Sequence, residues 1–383
     1  MPRALRVLHV SSGDLWAGAE VQAFTLMTQL KGMPDTEVAA VVLNAGTLFN
    51  SVRTRGIESY LLDERQLGSH QLFGRLYRLL GDWQPDVIHT HREKENILGA
   101  LAARCRRSIP SVRTVHGGNE HASPSGWKRY RRGLVTGIDR LCGRELQQRI
   151  IAVTRDLGKT LMEQFSPEKV VVIENGIDFE AVRAARAVAD FRESAPECVH
   201  VGIVGRLVPV KRVDLFLEAA SRLRHEHAGR PWRFHVFGDG PLRGELEGVA
   251  AALDVAGVVT FHGHREDIAS CMGGLDALVI CSDHEGMPMA ALEAAALDVP
   301  TAAHAVGGLI DVTPPEFQVL RHDAAGYRDG ILRSLEHDAR EIARRRSLDV
   351  QGRLSARRNA ERVRDLYEEV VREHGSSAQS MVE

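Results

Sequence analysis

Short apolar runs alternate with helical patterns along most of this sequence, and this alternation limits the fold more than any other feature. The first series of runs predicts strands at residues 5–10, 37–43, 86–89, 112–115, 150–153 and 170–173. A second series predicts strands at residues 199–204, 234–237, 258–262, 277–281 and 301–304. Because helical segments separate successive strands, the sequence predicts α/β domains with parallel sheets covered by helices on both faces.

A polar glycine turn, E-N-G-I-D at residues 174–178, separates the two series. The chain has 383 residues, enough for two domains that each bury a core. We predict an N-terminal Rossmann-like domain at 1–178 and a C-terminal one at 179–355. An amphipathic helix follows at 356–374, with a flexible tail at 375–383.

Composition and cysteine usage indicate where such a protein works. A net charge of −2 gives no overall attraction to nucleic acid, so no nucleic-acid partner is expected. The five cysteines are an odd number without a C-x-x-C pair, which favours reduced thiols over disulfides or structural zinc. The apolar run at 5–10 is too short for a signal peptide, and no run reaches membrane-spanning length. We expect a cytoplasmic protein, at most peripheral at the inner membrane surface.

Residues 282–293, S-D-H-E-G-M-P-M-A-A-L-E, connect a predicted strand to a predicted helix at 289–297. Pro288 suits the first helical position, and Gly286 allows close approach of a ligand to the backbone. The free amides before the helix form an anion or hydroxyl site, framed by the carboxylates of Glu285 and Glu293. The alternative is a plain helix entry with solvated glutamates.

A second turn, G-R-L-V-P-V-K at residues 205–211, precedes the predicted helix at 213–223. Lys211 lies at the start of this helix, where a positive side chain opposes the helix dipole. Its position is favourable if an anion binds there, because the helix amides, Lys211 and Arg206 then converge on that anion. The alternative is a pair of surface cations.

These two turns resemble those of the retaining GT-B glycosyltransferases of the GT4 type, which have an E-x7-E signature and use nucleotide-sugar donors. The resemblance implies that Glu285 meets the transferred sugar and that Glu293 holds the ribose. It places Arg206 and Lys211 on the donor diphosphate, with Gly286 and Met287 as further donor-binding positions. It also implies two domains facing across a cleft, with the C-terminal helix crossing back onto the first domain.

Other turns match the same family more weakly. The G-D-G-P turn places Gly240 near the nucleotide, and the turn after F-H-G brings His264 and Arg265 to the base. In the first glycine loop only Gly18 remains of the family's usual glycine pair. His116, in an H-G turn at a strand end, is implied to lie beside the donor sugar and to act in catalysis, although such a histidine can also be structural.

The resemblance implies transfer of a sugar from a nucleoside-diphosphate sugar to a glycan or lipid-linked acceptor, with retention of configuration. Arg206, Lys211 and a helix N-terminus can meet the charge of the leaving diphosphate, so no metal or other cofactor is expected. A metal set formed by His89, His91 and His116 is not favoured, since nothing in the sequence fixes its geometry. The sequence leaves open whether the nucleotide of the donor is UDP, GDP or ADP, and which sugar it carries.

Three other functions are alternatives to a glycosyltransferase. A dinucleotide oxidoreductase needs an intact G-x-G-x-x-G and an acidic ribose ligand about 20 residues later, and this sequence has neither. A GT-B-type nucleotide-sugar epimerase would form its product without an acceptor. A non-catalytic nucleotide-sugar-binding protein would show no turnover.

The basic stretch W-K-R-Y-R-R at 127–132 has three open interpretations. It forms a solvated helix face, a patch for anionic lipid, or an acceptor-binding loop.

Overall fold

A computed structural model describes residues 3–13, 16, 18–106, 109–117 and 127–380 of the chain. The description includes the backbone but not the side chains of residues 127–129, 131 and 377–380. The chain divides into two compact units. Unit 1 comprises Met1–Gly176 and Ala356–Glu383, and unit 2 comprises Ile177–Ser355.

In unit 1 the described residues form a seven-stranded sheet in the order β3-β2-β1-β4-β5-β6-β7. Its strands are β1 (Leu5–Ser11), β2 (Thr36–Val42), β3 (Glu58–Leu61), β4 (Val87–Thr90), β5 (Ser111–Val115), β6 (Arg149–Ala152) and β7 (Val170–Val172). Every neighbouring pair is parallel. The predicted parallel sheet is confirmed, with β3 as an additional edge strand that the sequence analysis did not assign.

Helices connect these strands and cover the sheet. They are α1 (Gly18–Lys31), α2 (Thr47–Thr54), α3 (Ser69–Trp83), α4 (Glu93–Cys105), α5 (Trp127–Glu145) and α6 (Arg155–Gln164). The start of α6 shows how the sequence sets a helix boundary: Leu157 donates its backbone N–H to the Thr154 hydroxyl. Helix α1 begins at Gly18.

In unit 2 the described residues form a six-stranded sheet in the order β10-β9-β8-β11-β12-β13. Its strands are β8 (Val199–Val204), β9 (Trp232–Phe237), β10 (Val259–Gly263), β11 (Ala277–Ile280), β12 (Thr301–His304) and β13 (Gln318–Val319). All neighbouring strands are again parallel. The second predicted parallel sheet is therefore also confirmed, with β13 as an additional edge strand that the sequence analysis did not assign.

The helices of unit 2 follow the same alternation. They are α7 (Phe179–Ala184), α8 (Asp190–Ser194), α9 (Val213–Glu226), α10 (Arg243–Ala252), α11 (Ile268–Gly273), α12 (Met289–Ala296), α13 (Leu309–Val312), α14 (Ala324–Arg333) and α15 (Ala339–Leu354). Pro288 is the N-cap of α12 rather than its first residue, with an extended ψ of 118°. The predicted helix entry is therefore displaced by one position.

The last helix, α16 (Ala356–Ser380), belongs to unit 1. Val363, Leu366, Tyr367 and Val370 are buried in one cluster with residues of β1, β2 and α1. This is the face that the sequence predicts to be apolar. The helix continues past Gly375 to Ser380, six residues beyond the predicted end at 374.

Each sheet has one point where successive strands are added on opposite sides. In unit 1 this point lies between β1 and β4, and in unit 2 it lies between β8 and β11. The carboxyl ends of parallel strands share one edge, and open α/β sheets bind ligands at that edge beside such a switch point. We therefore expect a ligand-binding site in the turns after these four strands.

Candidate active site

The turns after β8 and β11 are joined directly. Asp283 donates its backbone N–H to the Val210 carbonyl over 2.9 Å. The Asp283 carboxylate accepts from Arg212 Nη1 at 3.3 Å and from His322 Nε2 at 2.9 Å. These contacts hold two segments that are about 70 residues apart in sequence next to each other at the switch point of unit 2.

At the centre of this junction Lys211 Nζ donates to Glu285 Oε1 over 2.6 Å. The Ser282 hydroxyl donates to the same oxygen at 2.5 Å. The Lys211 and Glu285 side chains are only 20% and 10% exposed, so this ion pair is largely shielded from water. No described residue bonds Glu285 Oε2, which leaves that oxygen for a ligand.

Arg206 follows Gly205 in the same turn and is half-buried. Its guanidinium has no hydrogen-bond or ion-pair partner among the described residues, unlike that of nearby Arg212, which is paired with Asp214 and Asp283. A partly desolvated guanidinium without a counter-charge favours binding of an anion.

The backbone of the acidic turn is packed against a glycine pair. Gly307 has φ +51°, and a Cβ there would lie 1.9 Å from the Glu285 carbonyl oxygen. Gly308 donates its N–H to the Gly286 carbonyl at 2.9 Å. Only glycine permits this approach at 307, so the pair fixes the backbone on either side of Glu285. Met287, next in the turn, is buried.

Glu293 lies in the interior of α12 and is half-buried. Burial raises the pKa of its carboxyl to about 7. Its carboxyl has no hydrogen-bond or ion-pair partner in the part of the chain that the structure describes. A partly protonated carboxyl without a partner is able to accept hydrogen bonds from ligand hydroxyls when it ionises near neutral pH.

The other donor-site predictions in unit 2 lie in turns at the same sheet edge. Gly240 follows β9, and a Cβ there would meet the Leu207 carbonyl oxygen at 2.4 Å, so the turns after β8 and β9 pack tightly. His264 is exposed. Arg265 is held by Asp267 through two 2.7 Å bonds and by Asp190 at 3.4 Å, so its guanidinium is already paired.

In unit 1, Gly18 opens α1 and His116 follows β5. Residues 14, 15 and 17 of the first glycine loop lie outside the described residues. Glu20, in the first turn of α1, forms an ion pair with Arg92 after β4. Burial, and then the charge of Arg92, lower the pKa of His116 to about 4, so its ring is neutral.

A row of histidines accompanies His116. His91 Nδ1 lies 3.3 Å from His116 Nε2, and His91 Nε2 lies 3.1 Å from His9 Nδ1. The ligand-capable nitrogens of His9, His89 and His91 all lie within 4.8 Å of one another, close enough for one metal ion. Both His89 nitrogens are already hydrogen-bonded, to Tyr367 and to Thr114, so an ion would have to displace one of those partners.

Sequence reasoning missed several residues that shape these sites. Ser282, Arg92 and His9 were not assigned a role, although each comes next to or within a predicted strand end. A polar residue in an apolar strand was the available indication for His9. For Ser282 the indication was its position just after the buried strand β11.

Solved structures share this two-unit architecture. The Anabaena protein HepE (Alr3699) in complex with UDP-glucose superposes with a TM-score of 0.81 at 17% identity, covering 95% of this chain and 99% of that chain. A sucrose-phosphate synthase from Thermosynechococcus elongatus superposes with a TM-score of 0.76 at 17% identity, over 95% and 99% of the two chains. Two Rossmann-like parallel-sheet units with this arrangement of strands define the GT-B fold.

Sequence comparisons identify the family. A family model described as Glycosyltransferase Family 4 matches residues 16–181, and one described as Glycosyl transferases group 1 matches residues 198–337. An Escherichia coli UDP-Gal:alpha-D-GlcNAc-diphosphoundecaprenol alpha-1,3-galactosyltransferase is 27% identical over 77% of this chain and 78% of its own length. A 2-deoxystreptamine glucosyltransferase from Streptomyces kanamyceticus is 29% identical over 61% and 64%. The chain belongs to the GT4-type glycosyltransferases.

Proposed function

We propose that this enzyme transfers a sugar, with retention of configuration and without a metal, from a nucleoside-diphosphate sugar to a glycan or lipid-linked acceptor. The observation that carries the proposal is the shielded Lys211–Glu285 pair at the unit 2 switch point, with unpaired Arg206 in the same turn. Such a site offers fixed positive charge and a carboxylate to one ligand.

The departing diphosphate develops negative charge as the glycosidic bond to the donor phosphate breaks. Arg206 and Lys211 are the cations assigned to that charge, and both belong to the turn after β8. Lys211 is neutralised by Glu285 while the site is empty. A bound diphosphate competes for the ammonium, so Glu285 Oε1 is released towards the sugar. Glu293, Gly286 and Met287 complete the donor-binding set.

UDP-sugars are the first donors to test. The E. coli relative is named for UDP-Gal, and a solved neighbour holds UDP-glucose. We expect one class among UDP-, GDP- and ADP-sugars to raise the melting temperature, and release of the nucleoside diphosphate to depend on an acceptor. The anomeric configuration of the product should match the donor. Product formed without acceptor would indicate an epimerase, and binding without any turnover would contradict an enzymatic role.

The Glu293 carboxyl predicts a pH dependence of donor binding. Its pKa is raised to about 7 by burial, so lowering the pH below 7 protonates it and removes an acceptor for ribose hydroxyls. We expect donor affinity, measured by calorimetry, to fall as pH drops from about 8 to 6. Glu293→Gln should bind more weakly at pH 8 and lose that dependence. An unchanged dependence in Glu293→Gln would contradict the assignment.

Metal independence is a separate prediction. Arg206 and Lys211 supply the positive charge that a divalent cation provides in other transferases. We expect transfer rates to be the same after dialysis against EDTA as before, and added Mg²⁺ or Mn²⁺ to change them less than twofold, far below the effect of removing a charge-stabilising group. A loss of activity on chelation that Mn²⁺ restores would contradict this part of the proposal.

We also propose that the enzyme works at the cytoplasmic surface of a membrane, held there by α5. Tyr130, Leu134, Ile138 and Leu141 are 68%, 57%, 39% and 59% exposed, and their spacing places them along one face of the helix. Four side chains of the basic stretch at 127–132 lie outside the described ones. No described helix combines the length and apolar composition needed to cross a bilayer.

An exposed apolar stripe beside a basic stretch suits an anionic bilayer. The acceptor named for the E. coli relative is linked to a lipid diphosphate, which supports this choice. We expect co-sedimentation with phosphatidylglycerol-containing vesicles but not with pure phosphatidylcholine vesicles. Leu134→Gln with Leu141→Gln should abolish it, while Leu348→Gln, exposed on α15, should not. Equal sedimentation of all three proteins would reject the membrane surface as the partner of α5.

A further inference from the structure

Two rows of hydrogen-bonded imidazoles cross the sheets of this protein, one in each unit. In unit 1 the row runs from His9 through His91 to His116, with nitrogen-to-nitrogen distances of 3.1 and 3.3 Å. In unit 2 it runs from His200 through His235 to His262, with distances of 2.9 and 2.9 Å. A neutral imidazole carries one N–H and one lone pair, so the tautomer of each ring is linked to that of the next.

The direction of the unit 2 row is fixed by a backbone group. His200 Nε2 lies 2.8 Å from the Ala195 carbonyl oxygen, which can only accept, so the proton is on His200 Nε2. His235 must then donate from Nε2 to His200 Nδ1, and His262 from Nε2 to His235 Nδ1. All three rings are therefore Nε2–H tautomers.

The unit 1 row has no such anchor, and its direction follows from its two ends. Neither His9 Nε2 nor His116 Nδ1 has a partner among the described residues, and both atoms are buried. Burial keeps the rings neutral, lowering the pKa of His9 to about 3 and that of His91 well below its usual value. One direction leaves the proton on His9 Nε2, and the other leaves it on His116 Nδ1.

Both end nitrogens are buried in this structure, but the two ends differ in their position in the sheet. His9 is fully buried in the middle of the sheet, so an N–H there would never find an acceptor. His116 lies at the carboxyl end of β5, half-buried and next to exposed Gly117, at the edge where open α/β sheets bind ligands. A proton on His116 Nδ1 can be satisfied by a substrate oxygen, whereas a proton on His9 Nε2 stays unpaired.

We infer that His9 and His91 are positioning residues that hold His116 as an Nδ1–H hydrogen-bond donor to an oxygen of the substrate. This inference rests on the proposed function for the role of His116. Nδ1 then carries a proton and is not a base, so His116 stabilises an oxygen rather than removing a proton. His89 does not set the direction, because its two partners, Tyr367 and Thr114, are hydroxyls that can donate or accept. Burial, and then the charge of nearby Arg92, lower the pKa of His116 and keep its ring neutral.

The test is nitrogen-15 NMR of the full-length protein labelled at histidine, at neutral pH and without ligand. Long-range proton–nitrogen correlations distinguish the tautomers, and His116→Gln, His91→Gln and His9→Asn assign the signals. We expect Nδ1–H at His9, His91 and His116, although free histidine in water favours Nε2–H. The unit 2 row is the internal control and should be Nε2–H throughout. Nε2–H at His116, or a metal ion retained on these rings, would overturn the inference.

Kinetics supply a second measurement. His9→Leu removes the group that orders the row, so Nε2–H should appear at His116 and kcat should fall about tenfold, the equivalent of one hydrogen bond, with KM for the donor unchanged. His9→Asn places an amide at the position of Nδ1 and should restore both the Nδ1–H tautomer of His116 and the wild-type kcat. A structural role alone would lower stability without changing the tautomer of His116. If His9→Leu does not fold, the tautomers measured in the wild-type protein test the inference.

Failure of the proposed function is distinguishable from failure of this inference. The tautomers are measured without ligand, so an enzyme that is inactive with every donor contradicts the proposed function and leaves the row intact. An active enzyme with Nε2–H at His116 contradicts this inference alone.

Discussion

Lys211→Ala and Arg206→Ala are each expected to lower turnover by about 10²–10³, the usual effect of removing one group that stabilises charge in the transition state. The physical reason is that the departing diphosphate would face a turn without its fixed cations. Steady-state kinetics with saturating donor measures the effect. Arg222→Ala, on the solvent side of α9 in the same unit, should keep wild-type turnover.

Lys211→Ala has a second consequence that must be separated from catalysis. It leaves the shielded Glu285 carboxylate without its cation, which costs stability as well as activity. Adding Glu285→Gln should recover the melting temperature but not the turnover. Wild-type turnover in Lys211→Ala or Arg206→Ala would refute their assignment to the diphosphate.

Stability is expected to fall steeply between about pH 6.5 and pH 4, because unit 1 buries four neutral imidazoles. Burial lowers the pKa of His9 to about 3 and of His116 to about 4, and lowers those of His89 and His91 well below their usual value. Below pH 6.5 the unfolded chain takes up protons that the folded rings do not bind. Each ring then reduces the unfolding free energy by about 1.4 kcal/mol per pH unit.

Urea unfolding at several pH values between about 7 and 5 measures this slope. The pH slope of the unfolding free energy should be smaller in His9→Asn by the contribution of one imidazole. His70→Gln, exposed on α3, should have the wild-type slope. Glu293 acts in the opposite sense: its pKa is raised to about 7, so the folded state binds that proton first. Comparing the variants with wild type cancels this contribution. Equal slopes in His9→Asn and wild type would contradict a neutral buried His9.

All strands except the edge strands β3 and β13 could be predicted from the sequence, because apolar runs bounded by turns leave few alternatives. The region between β2 and β4 could not be assigned in the same way. Strand β3, E-S-Y-L, is a half-buried edge strand with little apolar content. Helix α3 did carry a readable pattern, since Leu72, Leu76, Leu80 and Trp83 are its buried residues, spaced as one helical face.

The turns that carry the candidate site residues could be located in the sequence, but their arrangement in space could not. Arg206, Lys211 and Glu285 each belong to a local turn with recognisable chemistry. The bond between Lys211 and Glu285 depends on β8 and β11 being neighbours, a tertiary fact that no local pattern contains. The row from His9 to His116 crosses β1, β4 and β5, whose adjacency follows from the switch in strand order.

The helix α16 has a consequence for biosynthesis. Its apolar face completes a core whose other members come from the first residues of the chain, with the whole of unit 2 translated in between. During synthesis the contiguous unit 2 can finish folding soon after it leaves the ribosome. The earlier part of unit 1 has an incomplete core until α16 emerges, so its apolar surface stays exposed while unit 2 is being translated.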